Sequence, residues 1–181
     1  FSFRDGGFVV SNNKKLIDRI KLLRNHGITK NNRDLCDEFG FNSRMDELQA
    51  KILIEKLKTI KKLISLRNLN AKIYHKFLDR KYFYFESKQK NLVNSYQFFL
   101  VLCKRRDELY RYLNSKGVMV LKYFHIPIYK QKAFKNIFPK PIRLKNADHL
   151  EKRSLNLPIR ENLKKNEIRY ICNLMNDFYN L

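Results

Sequence analysis

Several residue types are scarce in this sequence of 181 residues, and their scarcity argues against a low-complexity linker, a disulfide framework and a zinc site. Tryptophan is absent, and with only five glycines and four prolines no low-complexity linker divides the chain. The three cysteines, Cys36, Cys103 and Cys172, are widely spaced and form no Cys-x-x-Cys pair. Such a set favours free thiols over a disulfide framework or a zinc site, and no metal is expected.

Long hydrophobic runs are also missing. No apolar stretch reaches the roughly 20 residues that cross a bilayer, and the start lacks the charged, apolar and small-residue order of a signal peptide. The first residue is Phe1 rather than Met, which indicates a natural or artificial cut. We therefore expect a soluble, cytoplasmic protein without a membrane-spanning segment.

Acidic residues are few: 17 stand against 39 lysines and arginines, which gives a formal net charge of +22. Such an excess raises nucleic acid or an anionic membrane as partner. The basic residues are spread through every segment, however, as at Lys56, Lys58, Lys61 and Lys62, where they form a solvated helix face. A basic binding module for nucleic acid or polyanions is therefore kept only as the alternative function.

The first third of the chain indicates a strand, a helix and a long loop. Residues 8–11 are rich in β-formers, and Asn12 and Asn13 are candidate caps for a helix with apolar residues at helical spacing through Leu23. Gly27 stands where a glycine that ends a helix belongs. Residues 28–43 are polar and irregular, which predicts a loop of the length that is often functional.

The remainder alternates helices and strands, so the chain is predicted to be α/β. Residues 44–80 carry apolar positions near a 3.6-residue period without proline or glycine, which predicts one long helix or two consecutive ones. Strands are expected at 82–85, 96–103 and 118–121, and a helix at 106–114. A last amphipathic helix is predicted from five apolar positions: Ile168, Ile171, Cys172, Met175 and Phe178.

Motifs in a fixed order cover the whole chain. The strongest is Gly-Phe-Asn-Ser-Arg-Met-Asp-Glu-Leu-Gln-Ala at residues 40–50. It is similar almost residue for residue to the signature of the DegT/DnrJ/EryC1/StrS family of sugar aminotransferases, which the chain therefore resembles. Weaker likenesses lie at residues 2–12, 22–27, 95–99, 127–134 and, for a Leu-Ser-Leu-Pro turn, 154–158. Gln97 and Tyr129 stand where the family commonly has histidine.

The resemblance implies the C-terminal part of a fold-type-I transferase that depends on pyridoxal phosphate and is related in fold to aspartate aminotransferase. Residues 1–60 would be the end of the large cofactor-binding domain, with the start of the long helix and the signature loop, which is the loop at residues 28–44 that ends in the first residues of the 40–50 motif. Residues 61–181 would be the small C-terminal α/β domain. Such enzymes are homodimers that move an amino group, usually from glutamate, onto a keto-sugar carried by a nucleotide, in amino-sugar or polysaccharide biosynthesis. The basic charge suits such an anionic substrate.

The same resemblance assigns three binding residues. Ser2 takes the position of the serine that contacts the cofactor phosphate. Asn42 and Arg44 take the positions of an asparagine and an arginine that reach into the neighbouring subunit's site, to the cofactor phosphate and the substrate respectively. Amide and guanidinium donors suit anionic oxygens.

Structural interpretations of the candidate residues remain open beside the functional ones. Ser2 and Asn42 can be turn residues, and Arg44 can be a helix-start cation paired with Glu38 or Glu47. His26 and His125 are candidate general bases, but a histidine without a positioned partner is more often structural. The first-turn position of Asp46 and Glu47 explains these carboxylates through the helix dipole, without catalysis.

The catalytic lysine of the family has no counterpart in the sequence. It lies five residues after the phosphate-binding serine, and here that position is Gly7. Lys14 and Lys15 follow the predicted strand and do not replace it. A segment omitted from the sequence, a degenerate or truncated gene, or a non-catalytic partner would each account for the gap. Without the lysine, the 181 residues alone are predicted to be inactive.

Overall fold

The computed structural model describes residues 6–29, 34–85, 92–123, 125–134, 136–137 and 142–180. It divides into two compact units, Phe1–Ile60 and Lys61–Leu181. The first unit contains the candidate loop, and the second contains the sheet and most of the buried apolar side chains.

The first unit begins its regular structure with helix α1, Lys14–Leu23. The Asn13 side chain accepts a hydrogen bond from the Leu16 amide at 3.2 Å, which confirms the predicted cap. After the helix, Gly27 adopts a φ of 73° and its amide donates to the Leu22 carbonyl at 3.0 Å. The predicted strand at residues 8–11 is wrong, because no described segment pairs with these exposed residues.

Helix α2 spans Glu47–Phe77, a single helix of 31 residues. This confirms the helical region predicted from the apolar spacing at 44–80. Asp46 caps its start, because the Asp46 carboxylate accepts from the Leu48 amide at 2.8 Å. Glu47 lies in the first turn as expected, whereas Asp46 stands one residue before the helix and acts as its cap.

The second unit is built on a three-stranded antiparallel sheet in the order β1-β2-β3, formed by Phe83–Tyr84, Phe99–Cys103 and Ser154–Leu157. The first two strands are shorter than the predicted runs. The predicted strand at 118–121 is reduced to a single bridge between Leu121 and Asn156. Strand β3 corrects the prediction of a turn at 154–158: all four of its residues are buried, so it lacks the alternation that marks a half-exposed strand.

The described part of the second unit has three further α-helices: α3, Arg106–Ser115; α4, Lys145–Arg153; and α5, Lys165–Asn180. Helices α3 and α5 are in mutual contact, α3 also contacts β3, and α4 packs beside β2. Helix α4 was not predicted. Helix α5 buries the five predicted apolar residues, and burying a large apolar side chain stabilises a fold by about 1.5–3 kcal/mol.

Within the described parts of the chain, no helix combines the length and the apolar character needed to cross a membrane.

Candidate functional site

The signature loop is held against the end of α1 by a short antiparallel run of backbone contacts. The Phe41 amide donates to the Leu23 carbonyl at 2.7 Å, and the Ser43 amide donates to the Arg24 carbonyl at 2.9 Å. Asn25 and Asn42 form an antiparallel bridge. The loop therefore returns to the helix end from which it started, and residues 24–25 lie beside residues 42–43.

Two glycines permit this close return. A β-carbon on Gly40 would lie 2.2 Å from the Gly27 nitrogen, and one on Gly27 would lie 1.8 Å from the Glu38 carbonyl oxygen. Contacts under 3.0 Å do not occur for real β-carbons, so any side chain at either position forces the backbone apart. Gly27 also has the positive φ that side chains disfavour. The path of the loop depends on both glycines.

The structure places Asn42 and Arg44 in this loop with exposed side chains. Ser2, the third predicted binding residue, lies outside the described residues. Glu38, one suggested partner of Arg44, is instead paired with Arg19 at 3.2 Å. Among the described residues neither Glu38 nor Glu47 forms an ion pair with Arg44, so the structural interpretation of this arginine as a paired cation is wrong.

Arg44 lines an open depression of about 880 Å³ within the first unit. Its wall comes from helix α1, from the turn that follows, and from the loop. The lining residues are Asp18, Arg19, Lys21, Leu22, Arg24, Asn25, Ile28, Thr29, Glu38 and Arg44. Asn42 does not line this depression, so the two predicted donors have different surroundings.

The sequence assigns no binding role to Arg24, yet this residue, which follows the end of α1, lines the depression. The signal that could have found it is the Leu-Arg-Asn-His-Gly run at residues 23–27, which lies within one of the weaker likenesses to the family. Its placement beside the signature loop depends on the hydrogen bond from the Ser43 amide, which the sequence does not show.

The position expected for the cofactor-carrying lysine is occupied by Gly7, which is exposed and has open space around its α-carbon. Lys14 and Lys15 lie in the first turn of α1, also exposed. Asn42 and Arg44 supply donors that suit phosphate, but no amine stands at the motif position. The residues present therefore do not complete a covalent site for pyridoxal phosphate.

The two candidate histidines have local surroundings that favour structural roles. His26 adopts a left-handed backbone with a φ of 60°, in the turn between α1 and Gly27. The Nδ1 atom of His125 lies 2.8 Å from the Lys122 carbonyl oxygen, so this nitrogen carries the hydrogen and donates. Neither histidine is hydrogen-bonded to a carboxylate among the described residues that could position it as a base.

Tyr129, which replaces a common histidine of the family, is tied to helix α4. Its hydroxyl donates to the Asp148 carboxylate at 2.6 Å, and Lys130 pairs with Asp148 at 2.8 Å and with Glu151. The hydrogen bond from Lys130, followed by that from Tyr129, lowers the pKa of Asp148. These contacts hold the 3₁₀ turn Ile128–Lys130 against the helix.

Curated relatives match almost the whole chain. It is 29% identical over 175 residues to UDP-4-amino-4,6-dideoxy-N-acetyl-beta-L-altrosamine transaminase of Campylobacter jejuni, covering 92% of this chain and 46% of that protein. It is 29% identical over 182 residues to GDP-perosamine synthase of Escherichia coli O157:H7, covering 97% and 48%. The chain thus spans about half the length of the curated relatives that it matches.

Solved structures share the fold. An aminotransferase from Brucella abortus superposes with a TM-score of 0.85 at 23% identity, over 94% of this chain and 45% of that one. The structure of DesV from S. venezuelae gives 0.84 at 24% identity, over 93% and 45%. The fold is therefore that of the C-terminal portion of a pyridoxal-phosphate-dependent transferase, as the resemblance implied.

A family model decides the relationship. The model for the DegT/DnrJ/EryC1/StrS aminotransferase family matches residues 1–176. The match includes the signature loop and extends into helix α5, and members of this family depend on pyridoxal phosphate. The chain belongs to the DegT/DnrJ/EryC1/StrS aminotransferase family.

Proposed function

We propose that this chain is part of a cytoplasmic, homodimeric aminotransferase that transfers an amino group from glutamate to a nucleotide-linked keto-sugar. The observation that carries the proposal is the family match over residues 1–176, with relatives that are named as nucleotide-sugar transaminases. The alternative function, a basic binding module for nucleic acid or polyanions, gains no support from these matches.

The two units correspond in this proposal to parts of two domains. Phe1–Ile60 is the end of the large cofactor-binding domain, and Lys61–Leu181 is the small C-terminal domain. The low apolar burial of the first unit supports this assignment: Phe8, Phe39 and Phe41 are all exposed, at 88%, 103% and 74%. An independent domain would bury most of its large apolar side chains. A part of a larger domain leaves some of them exposed, because the residues that would cover them belong to the rest of that domain.

Asn42 and Arg44 are proposed to bind anionic groups at a site shared between subunits. The Asn42 amide donates to the cofactor phosphate, and the Arg44 guanidinium donates to the substrate. Their exposure on a loop with a defined backbone path supports this role, since neither side chain is used in packing. Ser2 is proposed as a further donor to the cofactor phosphate.

The chain alone is proposed to hold no covalently bound cofactor and to be inactive. When bound in such enzymes, pyridoxal phosphate serves as the electron sink, and a lysine both carries it and moves the proton. With Gly7 at the motif position, this chain lacks the amine for both tasks.

Reductive trapping tests this proposal. The chain is incubated with pyridoxal phosphate, treated with borohydride, digested and analysed by mass spectrometry. We expect only scattered, substoichiometric labelling of surface lysines. A hybrid that joins the cofactor-binding half of a relative, including its lysine, to residues 8–181 is expected to label one lysine stoichiometrically and to aminate a nucleotide-linked keto-sugar. A single stoichiometric adduct on the unextended chain, or an inactive hybrid that binds the cofactor, would contradict the proposal.

A further inference from the structure

Two arginines that are 20 residues apart in the sequence are brought together in the first unit. The Ser43 amide donates to the Arg24 carbonyl at 2.9 Å, so Arg44 follows directly after a residue hydrogen-bonded to Arg24. Both arginine side chains are exposed and both line the depression of about 880 Å³. This size is within the range of small-molecule sites.

The charges around this depression do not cancel. Among the described residues, its lining contains four cations and two carboxylates. Arg19 pairs with Glu38 at 3.2 Å, and Lys21 lies 4.0 Å from Asp18. These two pairs use both carboxylates of the wall. The cations left over are Arg24 and Arg44, and neither forms an ion pair with a described carboxylate.

Two guanidinium groups that line the same depression carry charge of the same sign, and an anion bound by both offsets their repulsion and gains two attractive interactions. Arg24 does cap the C-terminus of α1, where a cation is favourable. The dipole accounts for a positive charge at Arg24, but it does not account for the second arginine in the lining of the same depression. Asn25 adds an amide to the same wall, and no described group is hydrogen-bonded to its side chain.

We propose that Arg24 is a second anion-binding residue, which together with Arg44 holds the diphosphate of a nucleotide-linked substrate in this depression. The inference rests on the proposed function for the identity of the ligand. A diphosphate offers adjacent phosphoryl groups, each able to accept from one guanidinium, so two arginines match it better than one. The Asn25 amide is placed to donate to the same group.

Calorimetric titration of the 181-residue chain with inorganic pyrophosphate and with UDP tests the inference, at low ionic strength because the contacts are exposed. Arg24→Ala and Arg44→Ala are each expected to weaken both probes roughly tenfold or more, the usual loss for a charged hydrogen bond. Arg24→Lys should retain part of the affinity, because lysine keeps the positive charge but lacks the paired donors of the guanidinium group. Lys15→Ala is the matched control: it removes a cation from the same helix but outside the depression, and its affinity should equal that of the unaltered chain.

The outcomes separate this inference from the aminotransferase proposal. Three results would overturn the inference that Arg24 binds the diphosphate. They are undiminished affinity in Arg24→Ala, equal losses of affinity in Arg24→Ala and Lys15→Ala, and no binding of either probe by the unaltered chain at millimolar concentration. Each of these results is compatible with an active hybrid enzyme. Conversely, specific loss in Arg24→Ala supports the inference even if the hybrid proves inactive, since binding is measured without the cofactor.

Discussion

Gly40 lies against Gly27 so closely that a β-carbon on Gly40 would stand 2.2 Å from the Gly27 nitrogen. This contact brings the two ends of the signature loop together. It thereby sets the backbone positions from which the Asn42 and Arg44 side chains project. The glycines therefore act on the candidate site through the path of the chain, without supplying any chemical group.

Gly40→Ala is expected to open the loop, because the new methyl group meets backbone atoms that cannot move aside cheaply. Chymotrypsin cleavage after the exposed Phe39 and Phe41 should accelerate roughly tenfold, which corresponds to about 1.4 kcal/mol of local opening free energy. Gly7→Ala is the control, since nothing lies within 4 Å of a β-carbon there. Equal cleavage rates in the two variants would show that the close contact does not hold the loop.

Arg106 is a buried arginine that connects α3 to the end of α4 and the start of β3. Its guanidinium donates to the Ser154 and Glu151 carbonyls, both at 2.9 Å. Arg106→Ala leaves these acceptors without their charged donor and should lower the free energy of unfolding by about 2–3 kcal/mol. Urea unfolding measures this change. Arg111→Ala, which removes an exposed arginine from the same helix, should change it by less than about 0.5 kcal/mol; similar losses in both variants would be evidence against a buried anchor.

The three cysteines are expected to differ in reactivity. Burial raises the pKa of the Cys103 thiol to about 11 and that of the Cys172 thiol to about 12, whereas Cys36 is exposed in the loop. Because the thiolate is the reactive form, iodoacetamide at pH 8 should modify only Cys36 in the folded chain and all three in urea. Mass spectrometry counts the adducts, and Cys36→Ser should abolish the native reaction. Rapid native labelling of Cys103 or Cys172 would contradict the packing described for the second unit.

Stability should depend on pH through Asp148. Its folded pKa is depressed, chiefly by the hydrogen bond from Lys130, so its contribution is present above the unfolded value and is lost as the pH falls through the folded value. Asp148→Asn should therefore lower the urea midpoint at pH 7, and the gap from the unaltered chain should narrow below about pH 4. Asp177→Asn serves as the control, because this exposed residue has no ion pair among those described. If the difference in urea midpoint between Asp148→Asn and the unaltered chain stayed constant with pH, the ionised Asp148 carboxylate would be ruled out as the source of the stability difference.

Helices followed from the sequence better than strands did. The stripe Ile168, Ile171, Cys172, Met175 and Phe178 predicted the buried face of α5, because helical burial is set by local spacing. Strand β3 was missed because its residues are buried without alternation, and its pairing partner β2 lies about 50 residues earlier. Residues 8–11 have the composition of a strand, but pairing decides whether a strand forms.

The candidate site was predicted in part. The signature at residues 40–50 identified Asn42 and Arg44 as candidate donors, and the structure finds both exposed. The neighbouring position of Arg24 could not be predicted, because it depends on a backbone contact between Ser43 and Arg24 across the intervening loop. Local patterns describe single elements, whereas that contact is a tertiary one.

The central claim is that the loop carrying Asn42 and Arg44 completes a site on a second subunit, and a subunit-mixing experiment tests it most directly. In the hybrid that carries the cofactor-binding half, one population of subunits carries Arg44→Ala and another lacks the cofactor lysine. Each homodimer should be nearly inactive. If sites are shared, one site of each heterodimer contains both defects and the other contains neither, so partial activity returns on mixing. No recovery, with heterodimers shown to form, would place Arg44 in its own subunit's site or outside any site and would contradict the claim.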